Sequence, residues 1–149
     1  MKPVFFDIAN ISLAAMNERC KNTLNTALGI EFSAFGPDYL EATMPVNAAT
    51  VQPLRMLNGG ASLALIETVG SMAANLALDR NVFVAVGQSV TGFHMRPVFE
   101  GDFVTARAEA LHIGSRSHIW EVILRDSKGN MAAKGSITMA VINNPAARV

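Results

Sequence analysis

Met56-Leu-Asn-Gly-Gly-Ala-Ser-Leu-Ala-Leu-Ile-Glu-Thr-Val-Gly-Ser71 is the stretch on which the fold turns. Two glycines open a run of small and apolar residues, and Glu67 interrupts it. The run extends to Asp79, and Leu63, Leu65, Ile66, Val69, Met72, Ala73, Leu76 and Ala77 leave it without a clearly polar face. That texture predicts a buried helix over about residues 60–79.

On either side the pattern differs. Residues 7–28 read as helical, with a break near Lys21 to Thr23 and Gly29 as a stop. Ile30 to Phe35 and Tyr39 to Val46 read as strands joined by Gly36-Pro37-Asp38, and Asn47 to Leu57 as a loop. After the long helix come four β-rich segments: Val82 to Val98, Phe103 to His112, Ser117 to Asp126 and Met131 to Ile142. Pro97 is expected to end or bulge the first of these. No helix separates these strands, so parallel crossovers are excluded and an antiparallel sheet remains. An α+β architecture follows, with an antiparallel sheet wrapped around one central helix. No repeat or internal boundary divides the chain, so residues 1–149 are read as one domain.

Composition narrows the function classes. Of 149 residues, 50% are hydrophobic and 16% charged, a balance that favours burial against further copies. Lys plus Arg and Asp plus Glu are both 12, so no basic footprint points to nucleic acid. No apolar run reaches the roughly 20 residues of a membrane span. Asp7 interrupts the N-terminus before a signal-peptide core can form, and a cytoplasmic protein is expected. Cys20 is the only cysteine, which rules out an internal disulfide and a cysteine-based metal site. The three histidines, 94, 112 and 118, have no carboxylate spacing to support a metal, and none is expected. The eight methionines read as core filler.

The linked motifs are Gln52-Pro53, Asn58-Gly59-Gly60-Ala61-Ser62, Glu67-Thr68-x-Gly70-Ser71, His94-Met-Arg96-Pro97-Val98 and His112-Ile-Gly114-Ser115-Arg116-x-x-x-Trp120-Glu121. In order and spacing they resemble the hotdog-fold acyl-CoA thioesterases, in the branch that holds the PaaI-like enzymes and dihydroxynaphthoyl-CoA thioesterase. The resemblance covers about Gly29 to Val141. It implies hydrolysis of an aromatic or medium-chain acyl-CoA to free acid and coenzyme A, with coenzyme A as part of the substrate and no cofactor. It also implies homodimers with shared active sites that pair into homotetramers. One position departs from the branch, where the residue before Gly-Gly is usually His; here it is Asn58.

Glu67 has two readings: a structural carboxylate, or one whose desolvation raises its pKa so that it activates water or attacks the carbonyl itself. The resemblance favours the second. Gly60 opens the helix, where a free amide can stabilise an oxyanion, although glycine pairs also serve tight turns. Gln52 is either a donor to the thioester carbonyl or an ordinary loop residue. Ser71, one turn after Glu67, either orients water or bonds back to its own helix. Asn58 suits an N-cap and substrate contact equally, but it cannot titrate. The resemblance assigns Gly87, His94, Arg96, His112, Gly114, Ser115, Arg116 and Ser117 to coenzyme A, and the arginine fork suits phosphate. A non-catalytic acyl-CoA-binding module is the alternative; Glu67 argues against it, since a binder has no use for a desolvated acid beside a thioester.

Overall fold

The computed structural model describes residues 6–147, so the residues before Phe6, on which the expected lack of a leader partly rests, lie outside it. Helices α1 (Leu13–Arg19) and α2 (Leu24–Leu28) precede strands β1 (Glu31–Phe35) and β2 (Tyr39–Pro45). The long helix α3 (Gly59–Leu76) follows, and then β3 (Phe83–His94), β4 (Phe103–Ile113), β5 (Ser117–Asp126) and β6 (Met131–Asn143). The break expected near Lys21 to Thr23 separates α1 from α2. A short 3-10 turn over Ile8–Asn10 stands where continuous helix was expected. β3 ends at His94, three residues before Pro97, which therefore lies outside the ladder.

All five strand pairings are antiparallel, in the order β1-β2-β4-β5-β6-β3. Alternation fixes the inner face: Leu40, Ala42 and Met44 on β2, Val104, Ala106 and Ala108 on β4, Trp120, Val122 and Leu124 on β5, and Ile137 and Met139 on β6 are all buried. α3 lies across this face and touches β2 through β6. It buries Ala61, Leu65, Ile66, Val69, Gly70, Ala73 and Ala74, which recur at helical spacing.

Two glycines set how closely the layers approach. A Cβ on Gly70 would overlap Ile137, and one on Gly135 would overlap the Thr91 carbonyl oxygen of β3 and press on Ile66. Backbone cannot yield as a side-chain tip can. Gly135→Ala is therefore expected to cost about 1–3 kcal/mol of stability, the range for overpacking a core. Urea denaturation would read it as a lower midpoint at unchanged slope.

The expectation of a helix apolar and buried on every side is corrected in one respect. Within a single chain α3 buries only the face toward the sheet; Leu63, Ala64, Glu67, Thr68, Ser71 and Met72 are half-buried. α3 also ends at Leu76 rather than Asp79. Asn75 explains the stop: its Nδ2 donates to the Ala85 carbonyl at 2.9 Å, and its Oδ1 accepts from the Ala85 amide at 3.0 Å. That pair of bonds fixes the helix end to the start of β3.

The N-terminal helices are anchored in a similar way. Ser12 caps α1 by accepting from the Ala15 amide at 3.2 Å. Asn17 then exchanges two hydrogen bonds with the backbone of Phe32 on β1, at 2.8 and 3.0 Å. This holds α1 beside the outer side of α3. At the far edge of the sheet, β3 pairs with β6 alone and exposes Phe83, Val86 and Phe93.

Candidate active site

The loop between β2 and α3 delivers the first half of the site. Thr50 is buried, donates to the Pro45 carbonyl at 2.8 Å, and accepts from the Asn47 amide at 2.9 Å. Its own carbonyl takes the Asn58 amide at 2.8 Å and so sets where α3 begins. Asn58 is the N-cap, with Oδ1 accepting from the Gly60 amide at 2.7 Å. Of the two roles open to Asn58, capping is the one this geometry displays, and the Gly60 amide is satisfied by it. Helical geometry begins at Gly59, one residue earlier than expected.

Gln52 uses its Oε1 in a local turn, accepting from the Leu54 amide. Its Nε2 remains available as a donor. Gln52, Gly59, Ser62, His94 and Arg96 line one cleft of about 500 Å³, floored by Val98, Ala132 and Ala133. Gly59 admits the His94 ring here, since a Cβ would stand 3.1 Å from His94 Nε2.

Glu67 and Ser71 line a different cleft, of about 460 Å³, between α3 and the N-terminal helices. Met16, Cys20 and Asn25 form its other wall. The Glu67 carboxylate packs onto Gly87 of β3, where any Cβ would overlap Oε1. It has no hydrogen-bond or ion-pair partner among the described residues, and burial pushes its pKa above the ordinary carboxylate value. The Ser71 hydroxyl makes no bond back to its helix among the described residues; beyond the helix ladder its carbonyl also accepts from Asn75 Nδ2 at 2.9 Å. A half-desolvated, unpaired carboxylate with a free hydroxyl one turn away can take a proton from water or attack a carbonyl.

The residues expected to hold coenzyme A fall into two groups. His94 and Arg96 belong to the Gln52 cleft. His112, Gly114, Ser115, Arg116 and Ser117 form the β4–β5 turn, closed by the Gly114 amide donating to the Ser117 carbonyl at 2.9 Å. The His112 ring covers Gly114, whose Cβ would come within 2.7 Å of Nε2. Through β6, this turn lies at the Gly87 end of β3, since Ser117 pairs with Ala140 and Ala140 with Val86. His94 is seven residues further along β3, about 23 Å away. One chain thus brings together Gln52, Asn58, Gly60, His94 and Arg96 at one end, and Glu67, Ser71 and Gly87 at the other.

His118 lies beneath the turn, fully buried, with neither ring nitrogen hydrogen-bonded in good geometry. Burial and the nearby His112 push its pKa down, the Gly114 backbone offsetting part of this, so the ring is held neutral. No group of three or more His, Cys, Asp or Glu side chains is arranged to hold a metal among the described residues. Among those residues, no helix is long and apolar enough to cross a membrane. Sequence reasoning missed Asn75, Met16, Arg19, Cys20 and Asn25 as cleft residues. An Asn within an apolar helix was a signal for the first; nothing local announced the rest, which reach the cleft only because α1 folds back.

Residues 54–133 match the Thioesterase superfamily. The chain is 40% identical to the proofreading thioesterase EntH of Cronobacter turicensis, across 89% of this chain and 96% of that one. It is 37% identical to the 1,4-dihydroxy-2-naphthoyl-CoA hydrolase of Escherichia coli K12, again across 89% and 96%. The crystal structure of thioesterase HI1161 from Haemophilus influenzae superposes with a TM-score of 0.88 at 40% identity, covering 91% of this chain and 94% of that one. The chain belongs to the thioesterase superfamily, as a hotdog-fold thioester hydrolase of the PaaI-like kind.

Proposed function

We propose that this enzyme hydrolyses the thioester of an aromatic or medium-chain acyl-CoA to the free acid and coenzyme A, using Glu67 at a site completed by a second copy of the chain. The observation that carries this reading is the division of the polar groups between two clefts. Gly60 and Glu67 are seven residues apart on one helix, a separation of about 10 Å. A carbonyl about 3 Å from the amide is too far from that carboxylate for reaction. The other half of the site then comes from a partner.

The free edge of β3 supplies a route. Antiparallel pairing of this strand with its own copy across a two-fold axis puts the Phe83 end of one against the His94 end of the other. The Glu67 cleft of one copy then meets the Gln52 cleft of its partner. Such pairing covers Phe83, Val86 and Phe93 and removes an exposed edge. Dimers of this kind are proposed to pair into homotetramers in the cytoplasm.

In the proposed reaction the thioester carbonyl accepts from the Gly60 amide and Gln52 Nε2. Glu67 of the other copy takes a proton from water as the hydroxyl oxygen bonds to the carbonyl carbon. The C–S bond breaks, the thiolate of coenzyme A leaves, and a proton returns to sulfur. In the covalent variant a Glu67 oxygen attacks instead, expels the thiolate, and forms an anhydride that water opens. Ser71 orients the water. His94, Arg96 and Gly87, with the turn of His112, Gly114, Ser115, Arg116 and Ser117, bracket the coenzyme, and Arg116 is suited to phosphate. The steps use only side chains, backbone amides and water.

Coenzyme A release, followed with a thiol reagent over aromatic and aliphatic acyl-CoAs, tests the reading. Turnover of benzoyl- or hexanoyl-CoA at saturating rates of about 1 per second or more is expected, within the ordinary range for enzymes. Binding of acyl-CoA without release of thiol would refute it.

A further inference from the structure

The cleft beside Glu67 changes character along its length. Residues 67 and 71 of α3 give it a polar inner end. Met72 and Leu76, facing Met16 of α1, give it an apolar middle. Beyond the helix terminus its lining includes Arg80, and α1 contributes Arg19 at its own last turn. Glu67 is the only acid among the described lining residues. Neither Arg19 nor Arg80 takes part in an ion pair, and neither guanidinium donates a hydrogen bond within the described residues. Several other cations pair with carboxylates, Arg107 with Glu41 and Glu109, Arg55 with Glu100 and Lys134 with Glu121, while Arg116 and Lys128 likewise have no ion pair among the described residues. Two unneutralised arginines bordering a cleft whose other end holds the reacting group have the charge pattern of an anion-binding terminus.

The spacing suits this. From Glu67 to Leu76 the helix rises about 13 Å, the scale of a medium-length acyl chain and well beyond an acetyl group. A carboxylate at the far end of such a chain stays clear of the negative charge on Glu67. It meets planar donors that can bind it in pairs.

We propose that the cleft selects ω-carboxyacyl thioesters, with the reacting carbonyl at Glu67, the methylene chain along Met16, Met72 and Leu76, and the terminal carboxylate held by Arg19 and Arg80. This rests on the proposed thioesterase reading and adds the acyl class to it. The shared chemistry is anion binding, and the phosphates of coenzyme A are the other possible source of the anion; the test separates the two.

The substrates are sebacoyl and decanoyl thioesters, equal in carbon number, long enough to span that rise and differing in the terminal carboxylate, each prepared with coenzyme A and with pantetheine. Wild-type enzyme should favour sebacoyl over decanoyl in kcat/KM by about tenfold on both carriers, the scale for two partly exposed charged contacts. In Arg19→Ala/Arg80→Ala the preference should vanish on both carriers, and Arg19→Lys/Arg80→Lys should restore part of it. Both arginines are solvent-exposed, so the variants are expected to fold, and an unchanged melting temperature would confirm it. A loss seen with both coenzyme A thioesters and absent with both pantetheine thioesters would assign the arginines to phosphate and overturn the proposal. So would hydrolysis of benzoyl or decanoyl thioesters with no sebacoyl preference, which leaves the thioesterase reading standing. Silence toward every thioester would overturn both.

Discussion

Replacement of Glu67 by Gln is expected to lower turnover at least about 100-fold while leaving the fold and acyl-CoA binding intact. The change keeps the shape of the side chain and removes its charge, and loss of a general base costs about 100- to 10,000-fold. Glu67 makes no hydrogen bond within the described residues, so no structural network is broken. The same carboxylate predicts the acid limb of the pH profile. Its desolvation favours the protonated form, so the group must lose a proton at a pH above the ordinary glutamate value of 4.5 before it can act. Turnover should fall as pH drops through that raised pKa, and the limb should be absent from the residual activity of Glu67→Gln. Steady-state kinetics from pH 4 to 8 would check both; unchanged turnover in the folded variant would remove Glu67 from the mechanism.

Glu67→Ala and Gly60→Pro, each nearly inactive alone, are expected to restore activity when co-expressed. Proline deletes the Gly60 amide and is tolerated in a first helical turn. In a dimer built as proposed, a hybrid carries one site with both defects and one with neither. Random pairing makes half the dimers hybrids, so about a quarter of wild-type activity should return. Differently tagged subunits purified through both tags isolate the hybrids, which should then reach about half. Inactive, folded hybrids would mean that Gly60 and Glu67 do not act from different chains.

Much of this was legible in the residues. The alternating strands and the run after Gly59-Gly60 define their elements, because burial on one side imposes a period that sequence carries directly. The linked motifs carried the family. What local sequence could not convey is which face of α3 meets what. Leu63, Ala64 and Met72 look like core in a linear reading yet are half-buried in one chain. The ends of α3 were blurred for a different reason: Asn58 and Asn75 fix them by bonds whose partners lie in a cap and on another strand. The cleft beside Glu67 was the least visible part, because Met16, Arg19 and Cys20 are some 50 residues from it in sequence and arrive only when Asn17 docks on Phe32.

The bond from the Gly60 amide to Asn58 Oδ1 has a consequence for how substrate enters. On the proposed geometry that amide is the oxyanion donor, so the enzyme carries an intramolecular competitor for its own reaction centre. An arriving carbonyl must displace an amide oxygen already in place, exchanging one acceptor for another. The exchange costs about the worth of an N-cap, roughly 0.5–2 kcal/mol. A ground-state carbonyl is a weak rival for the donor, whereas the negatively charged oxygen of the tetrahedral state is a strong one. On the proposed mechanism Asn58 would then act as a threshold: it would tax loose binding of any carbonyl compound and yield fully only once charge has developed, which would shift selectivity from recognising the substrate toward recognising the reaction.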